Sequence, residues 1–261
     1  MKVLLEISAE RNAPLTLIGR DWHFVPDAHA LEGQSFYLWP AADQEKVNAT
    51  LAQGGDLRQI ALRYEIPLLG YHQVINAATA VAVLRTLRDR GMNIPEDTIR
   101  EGLRSVRWEG RFQLLNRAPW VVVDSAHNVD SARRLRIALD DYFPTRRVVL
   151  LFGASDDKDI AGMLDALLPR VSRLVATRST HPRAATPEKI AALARERGCP
   201  TVISGDPAPA LVEALALVGP EDVLLAAGSL FVAGAVLEEW PAIQKKILSG
   251  KMVKSGNPEA D

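Results

Sequence analysis

A chain of 261 residues, 48% hydrophobic and 24% charged, can bury a full core as one large domain or two ordinary ones, which excludes a disordered chain. Its 31 basic and 32 acidic residues leave a formal net charge of -1, so no global field draws it to nucleic acid or to an anionic membrane. The single cysteine, Cys199, excludes an internal disulfide and a cysteine-rich zinc site and fits a reducing compartment. Glu6 interrupts the apolar start too early for a signal-peptide core, and no apolar run approaches the roughly 18 residues of a membrane span. The reading is a cytoplasmic protein.

Residues 1–12 put Val3, Leu4 and Ile7 on one helical face, and Asn12-Ala13-Pro14 stops the helix. Leu15-Thr16-Leu17-Ile18 reads as a short strand closed by Gly19. From Arg20 to Gly55 no period is sustained, although Ser35-Phe36-Tyr37-Leu38-Trp39 reads as a strand ended by Pro40. After Tyr71-His72-Gln73, an alanine-rich helix spans 74–90 and ends at Gly91. Pro95 opens another helix reaching about Ser105. This part shows no repeated strand-helix alternation and no glycine-rich phosphate loop, so it reads as an incomplete domain with a boundary near 106–110.

Beyond the boundary, Arg111 opens a short extended segment, a turn containing Pro119 follows, and Trp120 to Val123 run into Asp124-Ser125-Ala126-His127-Asn128. Strands then alternate with helices: strand 120–124, helix 129–142, strand 147–152, helix 159–168, strand 172–177, helix 186–197, strand 201–203, helix 208–217, strand 222–226 and a last helix from Ser229. Continuous apolar strands between helices predict an α/β, Rossmann-like, mainly parallel sheet covered on both faces. The expected division is 1–108, 109–248 and a polar, flexible tail over 249–261.

In such sheets ligands bind beyond the carboxyl ends of the strands, which is where Asp124 falls. Its carboxylate suits a ribose diol, or caps the following helix. His127 suits a phosphate or a substrate carboxylate, or satisfies a backbone carbonyl in its turn. The Arg111 guanidinium suits a polyphosphate, or an interdomain salt bridge. The amide of Asn76 can pair with adenine, or cap its helix. Three later clusters also follow strands: Gly153 to Asp159 with Lys158, Arg178 to Arg183 with Ser179 and His181, and Gly228 to Phe231 with Ser229. Each has a plainer reading as a helix cap or a solvated loop, but together they outline one rim. The chain contains no G-x-x-x-x-G-K-[ST], no G-x-G-x-x-G after a strand, no H-E-x-x-H and no G-x-S-x-G.

Leu69-Gly70-Tyr71-His72-Gln73-Val74-Ile75-Asn76-Ala77-Ala78, Gly110-Arg111-Phe112-Gln113 and Asp124-Ser125-Ala126-His127-Asn128, in this order, resemble the later motifs of folylpolyglutamate synthase/dihydrofolate synthase, in the Mur ligase superfamily. Phe152 to Asp159, Ser179 to Ala184 and Gly228 to Phe231 extend the resemblance, which covers roughly 1–245. It departs at Tyr71, where Arg is usual, and at Ser125 and Val129, where Gly and Pro are usual.

The resemblance implies ATP-dependent addition of L-glutamate to dihydropteroate or folate through an acyl phosphate, with ATP and Mg²⁺ as cofactors and no nucleic-acid or membrane partner. It implies an adenine contact at Asn76, a phosphate contact at Arg111, a ribose or nucleotide contact at Asp124 and an adjoining site residue at His127. Lys158, Ser179, His181 and Ser229 would face glutamate, and no metal ligand is expected in this chain. The family's P-loop, magnesium-binding residues and modified lysine would belong to sequence before Met1. The first 108 residues would then be the end of a central ATPase domain, the chain would have negligible ligase activity alone, and an exposed sheet face would meet the missing portion or another copy. The competing reading is a non-catalytic relative that binds a nucleotide or a partner; a peptidoglycan-precursor ligase of the same superfamily is a third.

Overall fold

The aromatic run Ser35 to Trp39 forms the centre of strand β2 (Gly33–Pro40), whose side chains are buried on both faces. This computed structural model describes residues 2–179 and 181–249, and it divides after Arg107 into two compact units. In the first unit β2 lies between β1 (Trp22–Ala30) and β3 (Leu62–Ile66), all antiparallel. The period-two pleat sends Phe36 and Leu38 to one face and Tyr37 and Trp39 to the other. Helices α3 (Tyr71–Asp89) and α4 (Glu96–Ser105) cover the first face with Val74, Ala78, Val81 and Ile99. Helix α2 (Gln44–Ala52) and the 57–60 turn cover the second through Val47, Leu57 and Ile60.

Several elements of this unit depart from the sequence reading. Leu15 to Ile18 form no strand beyond an isolated bridge from Ile18 to Trp22, because Asp21 folds the segment into a turn by accepting the Leu17 N–H at 2.8 Å. Helices and turns cover both faces of β2, while the second half of β1 is exposed. Apolar exposure falls instead on α1 (Lys2–Glu10), which buries no residue, and on a groove of about 440 Å³ lined by Leu17, Ile18, Ala82, Val83 and Leu87.

The second unit is a six-stranded sheet in the order β4-β5-β9-β6-β7-β8. Strand β4 (Gln113–Arg117) is antiparallel to β5 (Trp120–Val123), joined through the cis Ala118–Pro119 bond. Then β9 (Val223–Ala227), β6 (Val148–Phe152), β7 (Val171–Ala176) and β8 (Thr201–Ile203) run parallel to β5. The mainly parallel sheet is the one that the continuous apolar runs predict. One face, with Val121, Val123, Val149, Leu151 and Ala226, packs under α8 (Pro207–Ala216) and α9 (Leu230–Leu248).

Val122, Leu150, Phe152 and Leu225 point the other way. The fully buried Leu135, Leu139, Met163, Leu164 and Ile190 belong to α5 (Val129–Tyr142), α6 (Ile160–Leu167) and α7 (Pro187–Glu196), on that second side. Each such Leu, Ile or Met stabilises the fold by about 1.5–3 kcal/mol when fully buried. Cys199 lies buried just before β8. The tail expected at 249–261 lies, after Ser249, outside the described residues.

Candidate functional site

Because β5, β9, β6 and β7 are parallel, their carboxyl ends share one side of the sheet, and residues 124–128, 228–229, 153–159, 177–179 and 181–185 follow there. Close backbone approach stitches them together. The Gly228 N–H donates to Ala126 O at 3.0 Å, Gly153 N–H to Ala227 O at 3.4 Å, and Ala185 N–H to Ala154 O at 2.9 Å. Only glycine fits at 228: its φ is +107°, and a Cβ there would sit 2.6 Å from Gly153 O. A Cβ on Gly153 would similarly lie 2.6 Å from Thr177 O.

Asp124 lies at the end of β5 and is 7% exposed. Its Oδ2 accepts the Phe112 N–H at 2.8 Å and its Oδ1 the Ala126 N–H at 2.7 Å. Burial pushes its carboxyl pKa up, against the two N–H donors and the positive charges of Arg111 and His127. The helix-cap alternative for Asp124 is incorrect: Asn128 caps α5 by accepting the Ser131 N–H, and Ser131 returns the bond in a capping box. Asp124 instead clamps two loops through their backbones.

Arg111 stands between two residues with positive φ, Gly110 at +67° and Phe112 at +42°. The latter costs about 1–2 kcal/mol for a residue with a Cβ, offset by the Asp124 bond and by burying the Phe112 ring against Tyr142 and Phe143, at centroid distances of 5.6 and 6.3 Å. The guanidinium lies over the Trp108 ring at 5.7 Å, with no carboxylate partner among the described residues. The salt-bridge alternative therefore has no counterpart within this unit, and the fork's donors remain available to an anion. His127 directs Nδ1 to Ser125 O at 3.0 Å, the backbone role foreseen for it, which leaves Nε2 on the outer side of the ring.

On the glutamate side of the expectation, the structure joins some residues and separates others. His181 packs on Phe231 with centroids 4.5 Å apart and accepts the Arg183 N–H on Nδ1 at 3.1 Å, linking residues 181–183 to the start of α9. Ser229 caps α9 by accepting the Phe231 N–H at 3.1 Å. Ser179 is buried, and its Oγ has no hydrogen-bond partner among the described residues. Lys158 instead pairs with Asp157 at 3.3 Å. Asp159, one of the acidic residues before α6, caps that helix by accepting the Gly162 N–H.

Asn76 belongs to the first unit, exposed on the second turn of α3, and donates to Gln73 Oε1 at 3.1 Å. Its alternative as a helix cap is incorrect, because Gly70 occupies the N-cap position. The described residues hold no group of three or more His, Cys, Asp or Glu side chains that could hold a metal ion. Two residues quoted within motifs carry contacts that the sequence did not assign: Phe231, which packs on His181, and Gln113, whose side chain accepts the Gly110 N–H at 2.8 Å. The Gly-x-x-Gln spacing was the signal for the second.

Residues 110–230 match the model of the Mur ligase, glutamate ligase domain. A probable bifunctional folylpolyglutamate synthase/dihydropteroate synthase of Haloferax volcanii is 36% identical over 180 residues, 69% of this chain and 21% of that protein. The dihydrofolate synthase/folylpolyglutamate synthase of Escherichia coli is 34% identical over 164 residues, 62% of this chain and 37% of that protein. The structure of E. coli FolC in complex with DHPP and ADP superposes with a TM-score of 0.75 and 27% identity, over 93% of this chain and 51% of that one. The chain thus spans about half the length of that solved structure and less of the curated relatives.

Proposed function

We propose that this chain, whose residues 110–230 match the model of the Mur ligase, glutamate ligase domain and which is similar to folylpolyglutamate synthases, supplies the carboxyl-terminal portion of an ATP-dependent ligase that joins L-glutamate to dihydropteroate or folate. ATP would activate the acceptor carboxylate as an acyl phosphate, which the glutamate amine attacks. The observation that carries this reading is the rim itself: the Arg111 guanidinium, with no carboxylate partner among the described residues, on a turn that the Asp124 clamp holds through Phe112, together with His127 and the stitched loops at the strand ends. The complex of E. coli FolC with ADP supports a nucleotide ligand.

Under this proposal Arg111 meets phosphate, and His127 lies beside the nucleotide. Asp124 serves mainly by shaping the loops, with its remaining lone pairs open to a ribose hydroxyl. Asn76 of the first unit keeps the adenine role implied by the resemblance. His181, Ser179 and Ser229 are proposed on the glutamate side, with Lys158 the weakest member because Asp157 holds it. Transfer of the γ-phosphoryl group depends on positioning and charge neutralisation by a phosphate loop and Mg²⁺. The 261 residues contain no phosphate-loop motif. We therefore expect no folate-dependent ADP formation by this polypeptide alone; measurable turnover by the purified chain would overturn that expectation.

Calorimetric titration with ATP tests the nucleotide assignment directly. The wild-type chain is expected to bind, and Arg111→Ala to weaken binding about tenfold, the equivalent of 1.4 kcal/mol. Unchanged affinity in both Arg111→Ala and Asp124→Ala would remove the assignment. The absent phosphate-loop motif equally favours a second reading, a non-catalytic relative that binds nucleotide or a partner protein. Restored ligase activity on adding the amino-terminal portion of a homologous ligase would decide for the first.

A further inference from the structure

Arg111 can meet an anion reproducibly only if the turn that carries it has one conformation, and a Gly-Arg-Phe segment does not supply one by itself. Gly110 has access to both signs of φ, and Phe112 is held at +42° against its own preference. Three backbone anchors fix the turn. The Gly110 C=O accepts the Ser125 N–H at 2.8 Å, and the Phe112 N–H donates to Asp124. The third anchor is the Gly110 N–H, which donates to Oε1 of Gln113 at 2.8 Å. Gln113 is the first residue of β4 and pairs with Val123, so its own backbone is tied to the sheet. Its side chain reaches back over the turn and joins the peptide on the amino-terminal side of Arg111 to the strand on the other.

We propose that Gln113 is a positioning residue that aims the Arg111 guanidinium at an anionic ligand by holding the Gly110 amide. The purpose rests on the phosphate reading of Arg111; the hold itself rests on the Gly110 bond alone. Gln113→Met keeps the side-chain length and apolar stem but removes the acceptor oxygen, so Gly110 swings between conformers and Arg111 samples directions that miss the ligand. Gln113→Glu keeps an acceptor and retains the hold.

The test uses the full 261-residue chain in five forms: wild type, Gln113→Met, Gln113→Glu, Arg111→Ala and the Gln113→Met/Arg111→Ala double variant. By amide hydrogen exchange, the Gly110 N–H is expected to exchange about tenfold faster in Gln113→Met, the scale of one lost hydrogen bond, and to remain protected in Gln113→Glu. By calorimetry with ATP, Gln113→Met is expected to weaken binding about tenfold in the wild-type background but less than about twofold in the Arg111→Ala background. That non-additivity separates action through Arg111 from a general loss of stability. An unchanged Gly110 exchange rate overturns the hold. A full tenfold loss in the Arg111→Ala background overturns the route through Arg111. Absence of ATP binding by the wild type overturns the nucleotide reading and with it the purpose assigned to Gln113, while the exchange result still reports on the hold.

Discussion

Asp124 and Gly228 show how one position can decide whether several loops meet. The Asp124 carboxylate is the shared acceptor of two buried N–H groups from segments on either side of β5. Asp124→Ala leaves both without a partner and is expected to cost about 2 kcal/mol, read from the shift of the urea midpoint. Gly228→Ala must place a methyl group 2.6 Å from a carbonyl oxygen at a φ that alanine avoids. It is expected to cost more than about 3 kcal/mol and to lower the thermal midpoint further than Asp124→Ala. Neither role could be read from the sequence, which offered Asp124 as a ribose contact or a helix cap and not as a clamp on two backbones. Whether its carboxylate turned outward or back onto the chain depended on the turn at Phe112, whose positive φ no propensity announces.

Among elements, the buried parallel strands were legible because each carries an unbroken run such as Val148 to Phe152, with glycine or polar residues directly after it. β1 was not, since Pro26 and Asp27 interrupt its pattern at a bulge and its second half is exposed. α2 escaped because Val47 is the single residue it buries. For α5 the amphipathic stripe was visible, but its start was fixed by Asn128 and Ser131, and Asn128→Ala is expected to cost about 1 kcal/mol in denaturant unfolding.

Between α4 and β3, Tyr64 donates to Glu96, which also pairs with Arg85 and Arg88. Burial, then the bond to Glu96, pushes the Tyr64 phenol up to about 12. Burial also pushes the Glu96 carboxyl up, but the Tyr64 bond and the two arginines outweigh it and hold the group below its ordinary value. The raised tyrosine pKa gives stability that is fully present below about pH 10 and lost as pH rises through about 12. The depressed Glu96 gives stability present above its ordinary value, near 4.5, and lost as pH falls through the lower folded value. An absorbance titration at alkaline pH is expected to lose its highest-pH tyrosinate component in Tyr64→Phe.

At the scale of the molecule, two units with separate cores do not share one cooperative transition by necessity. Heating is expected to resolve two calorimetric steps, with Asp124→Ala and Gly228→Ala moving only the step of the second unit. A single transition displaced as a whole by Gly228→Ala would contradict this. The order of strands in the second unit has a further consequence for how the chain is made. β9 is the last strand in sequence yet lies between β5 and β6. Until the ribosome has released residues 223–227, β5 and β6 lack their shared neighbour, and the apolar faces beside that gap stay open to solvent. The nascent chain therefore stays open to misassembly until β9 is added, and a stop codon shortly before Val223 should yield insoluble product.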